Sequence, residues 1–170
     1  GAARIPLVCV GRDQPNSFAY LPAGTPDAER LFDEARANLA KRDLPAVPHE
    51  IGGVKVHVVS GDFYASEKIL DRGFLRDLQR NLGAELLAAA VPHKGLLLVT
   101  DRVVPPEIAG FAALAAALHR ETGGAPPLSP VVFLVRDGEV VGHLETESKP
   151  APAKPAAPSS PRRPAPSPRS

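Results

Sequence analysis

Glu85-Leu86-Leu87-Ala88-Ala89-Ala90-Val91-Pro92-His93-Lys94-Gly95-Leu96-Leu97-Leu98-Val99-Thr100 is the stretch that decides the fold. Two largely apolar runs of strand length flank Pro92-His93-Lys94-Gly95, a segment of turn formers, and together they predict a tight hairpin. A second hairpin is read further on. Pro130 precedes 131–135, apolar on both faces and so expected to be a central strand. Asp137-Gly138 is the strongest hairpin-turn signal in the chain, and 140–144 is expected to return antiparallel.

Between the hairpins, Pro105-Pro106-Glu107 opens a helix that buries Ile108, Phe111, Ala112, Ala115 and Leu118, and Gly123-Gly124 stops it. Upstream of the first hairpin, Asp71 is placed to cap a helix whose apolar face is Phe74, Leu75, Leu78 and Leu82, with Gly83 at its end. Residues 66–70 read as a short helix before it. Val54, Val56 and Val58 alternate with Lys55, His57 and Val59, which predicts a strand.

Pro45 and Pro48 are read as breaks. Before them, Thr25-Pro26-Asp27 predicts a helix start, with Thr25 as cap and Pro26 at the first helical position. Leu31, Phe32, Ala35 and Leu39 then recur at helical spacing, so this helix is expected to be amphipathic and to lie on a sheet. Residues 4–10 read as a strand, 11–16 as a polar turn and 17–21 as a short second strand.

The element order is β-β-α-β-α-α-β-β-α-β-β. It contains two hairpins and no regular βαβ alternation. That predicts an α+β fold: a mainly antiparallel sheet of about six or seven strands with about three or four helices packed on one face. The expected organisation is a single globular domain over 1–145 and a disordered basic tail over 146–170. Eight of the last 22 residues are proline, and the segment cannot bury enough apolar surface to offset the entropy of ordering it. Pro155, Pro158, Pro161 and Pro164 recur every third residue, the period of a polyproline II helix. With Arg162 and Arg163 they form a candidate docking motif for an aromatic groove; a solvated linker is the plainer alternative.

Charge divides the same way. The tail from Lys149 carries five basic residues and no acidic one, and residues 1–148 carry 15 basic against 19 acidic side chains. Neither part has the dense basic patch of a dedicated nucleic-acid binder. No window is long and apolar enough to span a membrane. No signal peptide is read at the N-terminus. The chain has no methionine, so Gly1-Ala2-Ala3 is expected to mark an excised or processed piece. The single cysteine, Cys9, allows no internal disulfide and sits in an apolar run, where a buried small hydrophobe is expected.

Chemistry is thinly signalled. The five histidines His49, His57, His93, His119 and His143 have no ligand spacing, so no metal and no cofactor is expected. No catalytic constellation is read. The most unusual polar stretch is Ser60-Gly61-Asp62-Phe63-Tyr64-Ala65-Ser66, joining a strand to a helix. Asp62, Tyr64 and Ser66 are candidate ligand-binding residues, with His93 at the hairpin tip and Asp101 at a strand end. Asp62 and Ser66 fit turns and caps equally well.

Asp62-Phe63-Tyr64-Ala65-Ser66-Glu67-Lys68-Ile69-Leu70, then Ala90-Val91-Pro92-His93, then Leu97-Leu98-Val99-Thr100-Asp101, resemble the YtpQ-like family of uncharacterised bacterial proteins. Pro127-Leu128-Ser129 and the Asp137-Gly138 turn continue the resemblance, which runs over roughly residues 4–145. Two departures are that Gly95 stands where family members tend to carry an acidic residue, and that an N-terminal segment of the family has no counterpart. The resemblance implies a cytoplasmic bacterial domain and brings no activity.

Three roles follow. The leading one is a non-catalytic protein-interaction domain with the tail as tether or docking peptide. The second is a small-ligand binder or enzyme using the 62–66 loop with His93 or Asp101. The third is weak, salt-dependent binding of the basic tail to an anionic surface, nucleic acid or membrane.

Overall fold

The computed structural model describes residues 11–14, 17–20 and 26–144. The expected strand over 4–10, Cys9, Thr25 and the tail over 146–170 lie outside the described residues. The fold is α+β, with a six-stranded, wholly antiparallel sheet in the order β3-β4-β6-β5-β7-β8. Its strands are β3 (Val47–Ile51), β4 (Val54–Val59), β5 (Leu87–Ala90), β6 (Leu97–Thr100), β7 (Val132–Arg136) and β8 (Glu139–Leu144). The sheet is thus three successive hairpins laid side by side. The middle one, β5-β6, is joined to the others through the β4–β6 and β5–β7 seams.

Both predicted hairpins form. Asp137 and Gly138 take φ of 53° and 78°, the left-handed pair that a two-residue turn needs to match strand twist. A further hairpin was not expected. Residues 47–51, read as a broken segment because of Pro45 and Pro48, form edge strand β3 and pair with β4 across Gly52-Gly53. Proline is tolerated there because one side of an edge strand makes no ladder bonds.

The helices pack on both faces of the sheet, not on one. Side chains alternate along the strands, so Val59, Leu87, Ala89, Leu97, Val99, Phe133 and Val135 join one core cluster. Val56, Ala88, Ala90, Leu98 and Val132 join the other. Helix α2 (Arg72–Asn81) covers the first face with Leu75 and Leu78. Helix α3 (Glu107–Arg120) covers the second with Phe111 and Ala115, and Ile108, Ala112 and Leu118 pack around them. The runs apolar on both faces were the sequence sign of this double cover. Strand β7 is apolar on both faces as expected, but it lies second from the edge; β5 and β6 are the central pair.

The N-terminal region departs most from expectation. Gly11–Gln14, read as part of a polar turn, is strand β1 and pairs with β2 (Ser17–Tyr20) in a separate two-stranded sheet. Helix α1 spans Ala28–Ala40, so Pro26 lies before it. Asp27 stands at its start in a left-handed conformation without a side-chain cap bond. Its buried residue is Leu39, while Ala35 is exposed. Rather than lying along the sheet, α1 meets the 3-10 helix Ser66–Leu70. Lys68 Nζ reaches the Leu39 and Arg42 carbonyls at its C-terminal end, at 3.4 and 3.2 Å.

Asp71 caps α2 as predicted, accepting from the Phe74 amide at 3.0 Å. It also pairs with Lys68 at 2.5 Å, in a bridge whose side chains are 3% and 7% exposed. The other flank of α2 holds the β7–β8 turn. Gln79 Oε1 accepts from the Asp137 amide at 2.9 Å, and Arg76 donates to the Asp137 carbonyl. Gly138 packs against the Arg72 backbone so closely that a Cβ there would lie 2.2 Å from the Arg72 carbonyl oxygen.

Candidate functional site

Strand β4 ends beside the start of β6, with Val59 opposite Leu97. The 60–66 loop therefore lands on the turn before β6, and three of the candidate residues meet that turn. Asp62 Oδ1 accepts from the Tyr64 amide at 2.6 Å, closing a turn on its own backbone. Its Oδ2 accepts from Arg42 Nη1 at 2.9 Å. The Arg42 guanidinium lies 4.3 Å from the centre of the Tyr64 ring. Ser66 Oγ donates to Glu67 Oε2 at 2.7 Å and accepts from the Gly95 amide at 3.1 Å. Lys94 pairs with Glu67, and its ammonium sits 4.1 Å from the Phe63 ring centre and 5.3 Å from that of Tyr64.

Gly95 is required at this junction. Its φ of 78° is left-handed, and a Cβ would stand 3.3 Å from the Asp62 carbonyl. The acidic residue that the family resemblance places here would meet both constraints. His93 belongs to the same turn; its Nδ1 lies 3.0 Å from the Lys94 carbonyl, and its backbone bridges to Pro127.

Asp101 lies apart. It follows the far end of β6, where Thr100 Oγ1 donates to the Lys55 carbonyl at 3.1 Å. Four residue steps separate it from Leu97, about 13 Å at the usual rise. Asp62, Tyr64 and Ser66 are therefore gathered with the His93-Lys94-Gly95 turn, and Asp101 is not. The gathered polar groups mainly satisfy each other: the carboxylates hold cations, the hydroxyl holds a backbone amide, and the rings carry the cations' other faces. Such an arrangement fixes a loop.

Among the described residues, no group of three or more His, Cys, Asp or Glu is placed to hold a metal ion. No helix among them is long and apolar enough to cross a membrane. The features that sequence reasoning missed both depend on sheet edges. Val140 and Val141 on edge strand β8 are 49% and 57% exposed. At the opposite edge, the unexpected strand β3 builds one wall of a groove that takes in Asp101. Neither could be seen before the strand order was known.

The chain is similar to a UPF0354 protein of Listeria welshimeri, 28% identical over 114 residues, which cover 66% of this chain and 41% of that protein. A UPF0354 protein of Listeria monocytogenes is 25% identical over 114 residues with the same coverage. The chain thus spans less than half the length of the curated relatives it matches. These similarities support an uncharacterised bacterial family, the level at which the motif resemblance holds. No protein-family model matches the chain, and no solved structure matches it.

Proposed function

We propose that the domain is a non-catalytic protein-binding module that takes up an extended segment of a partner protein along the outer edge of β8. The observation that carries this is the exposure of Val140 and Val141 on a strand that has no neighbour on its outer side among the described residues. An edge strand offers unpaired amides and carbonyls, and apolar side chains beside them give an incoming strand something to bury. The two edges of the sheet differ. Strand β3 carries Pro48, which blunts pairing, whereas β8 carries no proline. A bulge at Val141, where Leu134 faces Gly142 and Val135 faces Val140, bends β8 and discourages open-ended stacking of copies.

In this proposal the 146–170 segment, with its Pro155–Pro158–Pro161–Pro164 repeat and Arg162-Arg163, is a tether or secondary docking peptide. We also place the chain with the YtpQ-like proteins and in the cytoplasm, on the motifs quoted above.

The test is capture from a bacterial lysate by three forms: the full chain, a Val140→Lys/Val141→Lys double variant, and a 1–148 truncation. Retention of the same partner by the full chain and the truncation, with loss by the double variant, is expected. Since both valines are exposed, the double variant is expected to keep its stability within roughly 0.5 kcal/mol. A partner that follows the tail, or that the double variant holds equally well, overturns the proposal.

A further inference from the structure

The β3–β4 hairpin projects past the end of β6, and a groove of about 420 Å³ lies beside it. Register fixes its floor. Glu50 stands opposite Lys55, and Pro48 opposite His57. Lys55 and His57 share the face of Val59, which is the face covered by α2. Asp101, Arg102 and, at the end of α2, Leu82 also line the groove.

Two observations make this more than a surface depression. The first is His57. Its Nδ1 is buried and has no hydrogen-bond partner among the described residues. Buried polar atoms are nearly always paired; this one is shielded from solvent, but its ring borders the groove, so a ligand there meets the other edge of the imidazole or pairs Nδ1 by turning the ring. The second is charge. Lys55 and Glu50 face each other in register but form no ion pair among the described residues. Arg102 and Asp101 meet only loosely, at 3.7 Å. Two cations and two carboxylates therefore line one small groove without neutralising each other tightly. A simple anion or a simple cation would face two like charges as well as two opposite ones. A small molecule carrying both charges meets each with its opposite.

We propose that this groove binds a free zwitterion of the α-amino-acid class, its carboxylate set against Lys55 and the His57 imidazole and its ammonium between Glu50 and Asp101. The volume suits an amino acid with accompanying water. The walls are open and largely exposed, so an affinity in the millimolar to high-micromolar range is expected. The inference is independent of the β8 proposal, which concerns the opposite edge of the sheet.

The test is a titration of the full chain followed by NMR of the histidine imidazoles and backbone amides. Glycine, L-alanine, L-leucine, L-glutamate and L-arginine are the probes, with N-acetyl-L-alanine and L-alaninamide as controls lacking one charge. At least one amino acid is expected to give a saturable shift at the His57 ring and at the amides of Lys55 and Asp101. Both blocked controls are expected to bind about tenfold more weakly, as is typical when a charged contact is removed. Lys55→Ala, a change at an exposed side chain, is expected to weaken binding about tenfold while leaving the spectrum elsewhere intact. His57→Gln, which keeps a donor on a flexible side chain of similar reach, is expected to weaken it less. Absence of any shift up to roughly 10 mM, where even a millimolar site would fill, overturns the proposal. Equal binding of N-acetyl-L-alanine and L-alanine also overturns it, leaving an anion site only.

Discussion

Asp71→Ala is expected to cost about 3–5 kcal/mol of folding stability, enough to threaten a domain whose total is about 5–15 kcal/mol. Two effects combine at this residue. Asp71 caps α2 through the Phe74 amide, and loss of such a cap costs about 1 kcal/mol. The larger effect is on Lys68. With Asp71 gone, an ammonium 3% exposed keeps only the Leu39 and Arg42 carbonyls and the face of Phe74, its nitrogen 4.8 Å from the ring centre. None of these carries a full negative charge, so the buried cation is left without its counter-ion.

Asp71→Ser separates the two effects, because serine keeps a good cap and removes the carboxylate. It is expected to recover only about 1 kcal/mol relative to alanine. Urea unfolding of the three forms checks this. If Asp71→Ser were as stable as the parent, the cap and not the charge would be the main contribution.

The second large effect is expected at Gly138. Gly138→Ala should destabilise by about 3–4 kcal/mol, among the larger losses a single methyl group causes. Part of that is conformational, since a side chain at a φ of 78° costs roughly 1–2 kcal/mol. The rest comes from contact. The new carbon would sit 2.2 Å from the Arg72 carbonyl oxygen, with the Arg72 carbonyl carbon and Cα at 3.1 and 3.2 Å. Those are backbone atoms at the start of α2, so no flexible side chain can swing aside.

Gly53 supplies the control. Its φ is 80°, nearly the same, and a Cβ there would meet nothing within 4 Å. Gly53→Ala is expected to cost only the conformational part, about 1–2 kcal/mol. Equal losses in the two variants would show that the close approach of turn and helix contributes nothing.

What the sequence disclosed and what it hid divide along physical lines. The turns at 92–95 and 137–138 were legible because a tight reversal demands particular residues at fixed places. Asp71 was legible as a cap for the same reason, and Asp62 as a turn former. Strand β3 was hidden by its prolines, which forbid a central strand but not an edge one, and chain position does not say which a strand will be. The second helical layer is written into 131–135 and 96–100, apolar on both faces, whereas the order of hairpins and helices leaves open how many faces of the sheet are covered. Lys68 and Asp71, three residues apart, look like any exposed pair; the Lys68 ammonium is enclosed where the C-terminal end of α1 docks on it. The groove at His57 depends on β3, so it stayed out of sight with that strand.

The arrangement of the sheet as three adjacent hairpins bears on how the chain reaches this structure. Each hairpin closes a short loop, an event of microseconds in isolated peptides. The seams between hairpins are different: His57 meets Val99, and Ala89 meets Phe133, residues roughly forty apart in sequence. Chain entropy must be surrendered there before those pairings return anything. The middle hairpin takes part in both seams, and all eight residues of its two strands are buried. It is therefore the point of commitment, with the outer hairpins adding to either flank. The same order run backwards puts the earliest fraying at the flanks, where β8 and the β3–β4 hairpin carry the two surfaces proposed to meet other molecules.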